Sequence, residues 1–194
     1  MKVIGLAGNA GSGKSTIARA LSARRGVVAI DLDKIAWESY RPRTPTYWRL
    51  ASRFGEGILD AEGAIDRTRL GAVVFSDTRA LADLNAIVHP AVIGRLHEII
   101  HEKEAHGVQV LLVEGALLAT SPHVDRSLFD AVIWLEASGE TRRSRLEAAG
   151  RRAHIERAIP QPRGHGIITV DAEGSAAEVV SRVVRVIETA STDG

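Results

Sequence analysis

The sequence predicts an α/β protein in which a parallel five-stranded sheet is flanked by helices in three layers. Two observations predict it. Five short runs rich in Val, Ile and Leu recur along the chain, and stretches with helical spacing separate them. Runs that are apolar without alternation read as strands buried on both faces, the habit of parallel strands covered by helices. Strand and helix in alternation then give βαβ units.

The elements follow in order. "KVIGLA" (2–7), ended by glycines, is the first strand. "GKSTIARALSARRG" (13–26) sets Ile17, Ala20, Leu21 and Arg24 at helical spacing and stops at Gly26. "VVAIDLD" (27–33) is the second strand. From about 34 to 106 only helical pieces occur: "PTYWRLASRFG", "DRTRLGAVVFS", "DTRALADLNAIVH" and "PAVIGRLHEIIHEKEAH". "GVQVLLVEG" (107–115) and "DAVIWLEA" (130–137) are the next strands, and "ETRRSRLEAAGRR" (140–152) is a helix. "GIITVD" (166–171) is the fifth strand, and "AAEVVSRVVRVIETA" (176–190) is a closing helix with an apolar stripe. The final "STDG" has the composition of a frayed end.

Composition narrows the function classes. The 194 residues suit one domain, and 45% of them are hydrophobic, enough for a real core. Lys plus Arg number 25 against 24 Asp plus Glu, so an even balance argues against a nucleic-acid coat or a membrane-surface protein. With no cysteine, disulfides and thiolate zinc sites are excluded. The N-terminal apolar run, Val3 to Ala7, is too short for a signal peptide, and no run reaches transmembrane length. The expectation is a soluble, cytoplasmic protein.

"GNAGSGKST" (8–16) carries the chemistry. Gly8, Gly13, Lys14 and Ser15 satisfy G-x-x-x-x-G-K-[ST], with a strand before and a helix after. Its glycines let successive N–H groups turn inward as an anion cradle, and the helix start adds partial positive charge. Gly8, Gly11, Ser12, Gly13, Lys14, Ser15 and Thr16 are therefore expected to hold ATP. Lys14 would reach the terminal phosphates and Ser15 would ligate Mg²⁺. The fold expected is that of the P-loop NTPases. Neither N-K-x-D nor D-x-x-G occurs, and the chain is small for a motor, which favours a small-molecule kinase. The expected organisation is one kinase domain with core 1–33 and 107–194, a helical acceptor-binding insert at about 34–106 and a lid at about 139–160.

A kinase also needs an acceptor-side base. Asp31 and Asp33 end the second strand, at the edge where such sheets bind ligands. Only one of them is expected to face the phosphates. Asp33 has three available jobs: taking the acceptor's proton, holding Mg²⁺ through water, or capping the helix that follows.

Several motifs behind the loop, "IDLDKIA", "FGEGILDAEGAIDRTRLGAVVFSD", "LNAIVHP" and "LLVEGALL", stand in register over roughly 2–147. In these the chain resembles dephospho-coenzyme A kinases. The resemblance implies phosphorylation of the ribose 3′-hydroxyl of dephospho-CoA by MgATP, the last step of CoA synthesis. It implies Asp33 as the base, the insert as the CoA-binding subdomain, His89 of "HP" and Leu117 on the acceptor side, and Glu114 near the metal. Departures are visible. Glu114 and Ala116 stand where the family usually has Asp and Pro, the arginines after "RL" are displaced to Arg151 and Arg152, and the segment beyond is short.

In "TRRSR" a transition-state arginine is worth about 10³ to 10⁵ in rate, or roughly 4 to 7 kcal/mol. Helical spacing puts Arg142 and Arg145 on one side with Leu146, and Arg145 is the favoured catalytic arginine, with Arg143 on the solvated face. "HEIIH" (97–101) matches the zinc-protease motif H-E-x-x-H, but Val92, Leu96, Ile99 and Ile100 form the apolar stripe and turn His97 and His101 outward. Trp37, Tyr40, Tyr47 and Trp48 are expected to pack the insert, with an acceptor wall as the alternative.

Overall fold

Five parallel strands, β1 (Lys2–Gly8), β2 (Val27–Asp31), β3 (Val110–Glu114), β4 (Ala131–Glu136) and β5 (Ile167–Asp171), form one sheet in the order β2-β3-β1-β4-β5. These are the five runs the sequence marks. The computed structural model describes residues 1–115, 118, 124–151, 159, 161–162 and 166–190. By its contacts the chain divides into two units, Met1–Asp31 with Ile100–Gly194, and Leu32–Ile99.

In the first unit, Ile4, Leu6, Leu112, Ile133, Leu135 and Val170 of the sheet bury against Ile17, Ala18 and Leu21 of α1 (Lys14–Ser22) and Val179, Val183 and Ile187 of α7 (Ala176–Thr189). Each such aliphatic side chain contributes about 1.5–3 kcal/mol of burial. Helix α7 opens with a reciprocal capping box, in which Ser175 accepts from the Glu178 amide and the Glu178 side chain takes the Ser175 amide. Helix α6 (Gly139–Ala148) starts on Ser138, whose hydroxyl accepts from the Thr141 amide.

Burial on both faces holds for the three central strands but not for the edges. All of β2 is half-buried or exposed, and in β5 only Val170 is buried, because an edge strand has a neighbour on one side only. Helix α1 ends at Ser22, short of Gly26, and buries Ala18 while Ala20 is exposed. Helix α6 stops at Ala148, since Gly150 takes φ 68, a left-handed turn that ends a helix.

The second unit contains α2 (Leu32–Ser39), α3 (Pro45–Phe54), a 3₁₀ turn (Glu56–Ile58) and α4 (Arg67–Ser76). It also holds most of α5 (Thr78–Ala105). Thr44 caps α3 with Pro45 in its first turn, and Asp66 caps α4 by accepting from the Thr68 and Arg69 amides. The buried Tyr47 donates its hydroxyl to the Gly63 carbonyl at 2.6 Å, tying α3 to the connection before α4.

Two expectations need correction here. Strand β2 ends at Asp31, and Asp33 lies in the first turn of α2, so the two carboxylates do not end one strand together. "DTRALADLNAIVH" and "PAVIGRLHEIIHEKEAH" are one helix of 28 residues with Pro90 inside it, not two pieces. Proline in a helix interior costs about 3 kcal/mol. Burial of Ala80, Val88, Val92, Leu96 and Ile99 along the same helix outweighs that.

Candidate active site

The carboxyl ends of the strands lie level. Leu6 of β1 and Asp31 of β2 both pair with Glu114, Gly8 pairs with Leu135, and Glu136 with Asp171. Asp31, Glu114, Glu136 and Asp171 are therefore the last residues of four strands. Carboxylates end four strands while the phosphate loop ends the fifth, which gives this edge both an anion cradle and oxygen ligands for a cation.

The loop's shape follows from its glycines. Asn9 through Ser12 form a turn closed by Ser12 N donating to Asn9 O at 3.1 Å, with Gly11 at φ 81 in the position that demands a left-handed residue. A Cβ on Gly11 would also lie 2.6 Å from the Arg142 carbonyl oxygen, so α6 packs on the loop where only hydrogen fits. Gly13 at φ 98 delivers the chain into α1.

The donors and acceptors fit a bound triphosphate and its cation. Lys14 Nζ donates to Gly8 O at 2.8 Å and Asn9 O at 3.2 Å, so the ammonium lies across the loop mouth. Ser12 is 1% exposed, and its Oγ has no hydrogen-bond partner among the described residues, an orphaned hydroxyl inside the cradle. Ser15 Oγ donates to Glu114 Oε1 at 2.5 Å. A hydroxyl beside a carboxylate is the hard-oxygen pair that suits Mg²⁺. Thr16 is exposed in the first turn of α1.

Arg145 lies against the loop and spends its donors on backbone. Nη1 reaches Ser12 O at 3.3 Å, and Nη2 reaches Ala172 O at 2.9 Å and Gly174 O at 3.3 Å. It links the phosphate loop to the turn after β5. Glu173 in that turn accepts from the Ser138 amide and the Thr141 hydroxyl, both at 2.6 Å. The Thr141 hydroxyl, then the Ser138 amide, hold the Glu173 carboxyl below its ordinary range. Arg142 is half-buried beside Gly11, and Arg143 is exposed.

The remaining sequence-marked residues belong to the helical unit. Asp33 is exposed in the first turn of α2, and Trp37 one turn later shares its face. The Arg67 guanidinium stacks over the Trp37 ring at 3.2 Å from its centroid. Nothing in the sequence joins these two residues, which stand thirty apart. Burial raises the Tyr40 hydroxyl above its ordinary value and the Arg67 charge opposes that. Tyr47 packs as expected, whereas Trp48 is 60% exposed on an open groove of about 540 Å³ with Arg49, Ser52, Arg53 and Ile87. His89 lies mid-helix and half-buried.

His97 and His101 are exposed, and Glu98 between them is paired with Arg95 at 2.8 Å. No group of three metal-ligating side chains occurs among the described residues. Leu117, Ala116 and Arg152 lie outside the described residues, as do 153–158 and 160 of the expected lid.

Comparisons with known proteins agree with this geometry. The family model for dephospho-CoA kinase matches residues 2–161. A dephospho-CoA kinase of Geobacter sulfurreducens is 35% identical over 190 residues, covering 94% of this chain and 95% of the relative. Among solved structures, the Thermus thermophilus protein TT1252 superposes with a TM-score of 0.75 at 27% identity, covering 96% of both chains. A dephospho-CoA kinase from Campylobacter jejuni shares the fold with a TM-score of 0.60 at 24% identity, over 97% of this chain and 96% of its own. With the family model matched over residues 2–161 and a relative 35% identical over 94% of this chain, on a sheet and phosphate loop of this kind, the protein belongs to the dephospho-CoA kinase family.

Proposed function

We propose that the chain transfers the γ-phosphoryl group of ATP to the ribose 3′-hydroxyl of dephospho-CoA, giving CoA. Family membership makes it an ATP-dependent kinase of dephospho-CoA. The assignment of residues to steps is our reading. The observation that carries it is the loop Gly8–Thr16, with its orphaned Ser12 hydroxyl and its Ser15–Glu114 contact.

In this reading the loop amides and Lys14 hold the triphosphate, and Lys14 leaves the Gly8 and Asn9 carbonyls to do so. Ser15 and Glu114 would hold Mg²⁺, which neutralises charge on the phosphate oxygens. Asp33 accepts the proton of the attacking hydroxyl, and as an exposed carboxylate it does so without a large desolvation cost. Residues 32–99 serve as the acceptor subdomain, with His89 and Leu117 on the acceptor side and Arg67, backed by Trp37, as a planar cation for the acceptor's diphosphate. Arg145 stabilises the transferring group from α6, within a lid running from about 139 to 160. Exclusion of water by that closure protects the γ-phosphoryl group from hydrolysis.

We place the enzyme in the cytoplasm with no nucleic-acid partner, in keeping with its even charge balance. No described helix is long and apolar enough to cross a membrane. The test is ADP release from ATP and Mg²⁺ with and without dephospho-CoA, with Lys14→Ala as the blank. Stimulation by dephospho-CoA with CoA as product is expected. ATP binding without stimulation would remove the acceptor assignment and leave the cradle.

A further inference from the structure

The second residue of the phosphate loop does something the nucleotide-binding pattern does not ask of it. Asn9 is 8% exposed, and its side-chain amide is held at both its oxygen and its nitrogen by one distant residue. Nδ2 donates to Ile159 O at 2.9 Å, and Oδ1 accepts from Ile159 N at 2.8 Å, across 150 residues of sequence. The two bonds are reciprocal, so the carboxamide reads one residue's backbone donor and acceptor at once, as a neighbouring strand would. A shorter or apolar side chain makes neither bond, and Asp makes only one, because it has no donor.

The backbone of the same residue controls the cradle. Asn9 O accepts from Ser12 N, which closes the loop's turn, and from Lys14 Nζ. The peptide that shapes the anion site is therefore pinned from behind by the Ile159 backbone. One Nδ2 N–H remains, but with both ends of the carboxamide held by Ile159 the route from Asn9 to the nucleotide is the place it gives this peptide.

We propose that Asn9 is a positioning residue whose clasp on Ile159 holds the phosphate loop in its nucleotide-receptive shape and so sets the affinity for ATP. Without the clasp the 9–12 turn samples other positions, and binding ATP must first restore the receptive one. Affinity falls by the fraction of time that shape is lost. Two neutral hydrogen bonds in a partly buried place make about tenfold the expected scale.

The experiment measures ATP and ADP binding by calorimetry, and amide hydrogen exchange at Ile159 without nucleotide, for the unsubstituted chain, Asn9→Ala and Asn9→Asp. For Asn9→Ala the expected result is Ile159 exchange faster by about tenfold and nucleotide Kd higher by a similar factor. In turnover the same variant should raise KM for ATP, with a smaller change in KM for dephospho-CoA. Asn9→Asp keeps the Ile159 N–H bond, so its exchange should rise less, while its added charge beside the cradle weakens ATP at least as much. Unchanged Ile159 exchange in Asn9→Ala would overturn the clasp. Faster exchange with unchanged Kd would reduce it to a structural tie and overturn the positioning role. An equal rise in both KM values would do the same. Were Asn9→Ala to fail to fold, Asn9→Asp carries the comparison. The proposal rests on the kinase reading only for its KM arm. If dephospho-CoA proved not to be the acceptor, calorimetry and exchange would still decide it.

Discussion

In the sheet unit, the chemistry is shaped by backbone. The turn 9–12 closes on a carbonyl, Gly11 admits the Arg142 peptide, and the Arg145 guanidinium donates to three carbonyl oxygens. In the helical unit the corresponding features are side chains on exposed faces: Asp33 in a first turn, Trp37 above it, and Arg67 stacked on Trp37 from another helix. The difference predicts how each region fails. A backbone-built site degrades gradually when one side chain is removed and collapses when a glycine is filled. A side-chain-built site does the reverse.

The largest effect expected is therefore at Asp33. Asp33→Asn should lower kcat by about 10²–10⁴ while leaving ATP binding intact, since the loop is built without it. Near-normal kcat in this variant would remove Asp33 as the base. Lys14→Ala should lower kcat/KM by about 10²–10³, and the amides of the loop should still bind ATP measurably by calorimetry. Complete loss of binding would show that the cradle depends on one cation and would break the comparison. Gly11→Ala forces a Cβ to 2.6 Å from the Arg142 carbonyl at a left-handed φ, at a cost on the order of 1–3 kcal/mol. That should lower Tm by roughly 2–4 °C per kcal/mol. A wild-type melting curve would refute the backbone account of the sheet unit. Tyr47→Phe removes one hydroxyl bond to Gly63 O and should cost about 1 kcal/mol, leaving ATP binding unchanged.

The smallest effect concerns acid. Glu173 holds its carboxyl below the ordinary value of 4.5 through the Thr141 and Ser138 bonds. A carboxyl lowered in the folded state contributes above its unfolded value and loses that contribution as pH falls through its folded one. Glu173→Gln should lower stability slightly at neutral pH and flatten the fall on the acid side of pH 4.5, so that the two proteins converge in acid. An acid limb as steep as that of the unsubstituted chain would show that the turn after β5 draws nothing from this charge.

Legibility followed the same division. The five strands, α3, α4 and α7 are readable because their apolar periods and caps are local, as with Pro45 and Asp66. The strand reading ran past Asp31 because Leu32 continues an apolar run, although the chain has already turned into α2. The break placed at Pro90 obeyed local propensity, and the buried row Val88, Val92, Leu96 and Ile99 overrode it. At the candidate site the loop residues and Glu114 could be marked from sequence. The Asn9–Ile159 and Trp37–Arg67 contacts could not, because pairings of distant residues leave no periodic trace.

Lys14 has a further consequence. Its ammonium already holds two carbonyl oxygens of its own loop. In the function proposed above, arrival of a triphosphate would be an exchange of partners for that charge, in which protein acceptors are given up as phosphate acceptors are gained. Only the difference between the two sets counts toward ground-state affinity, whereas charge that grows on the transferring group meets a cation already released. The lysine should accordingly discriminate between nucleotide states more than it attracts nucleotide, which makes it an instrument of timing as much as of capture.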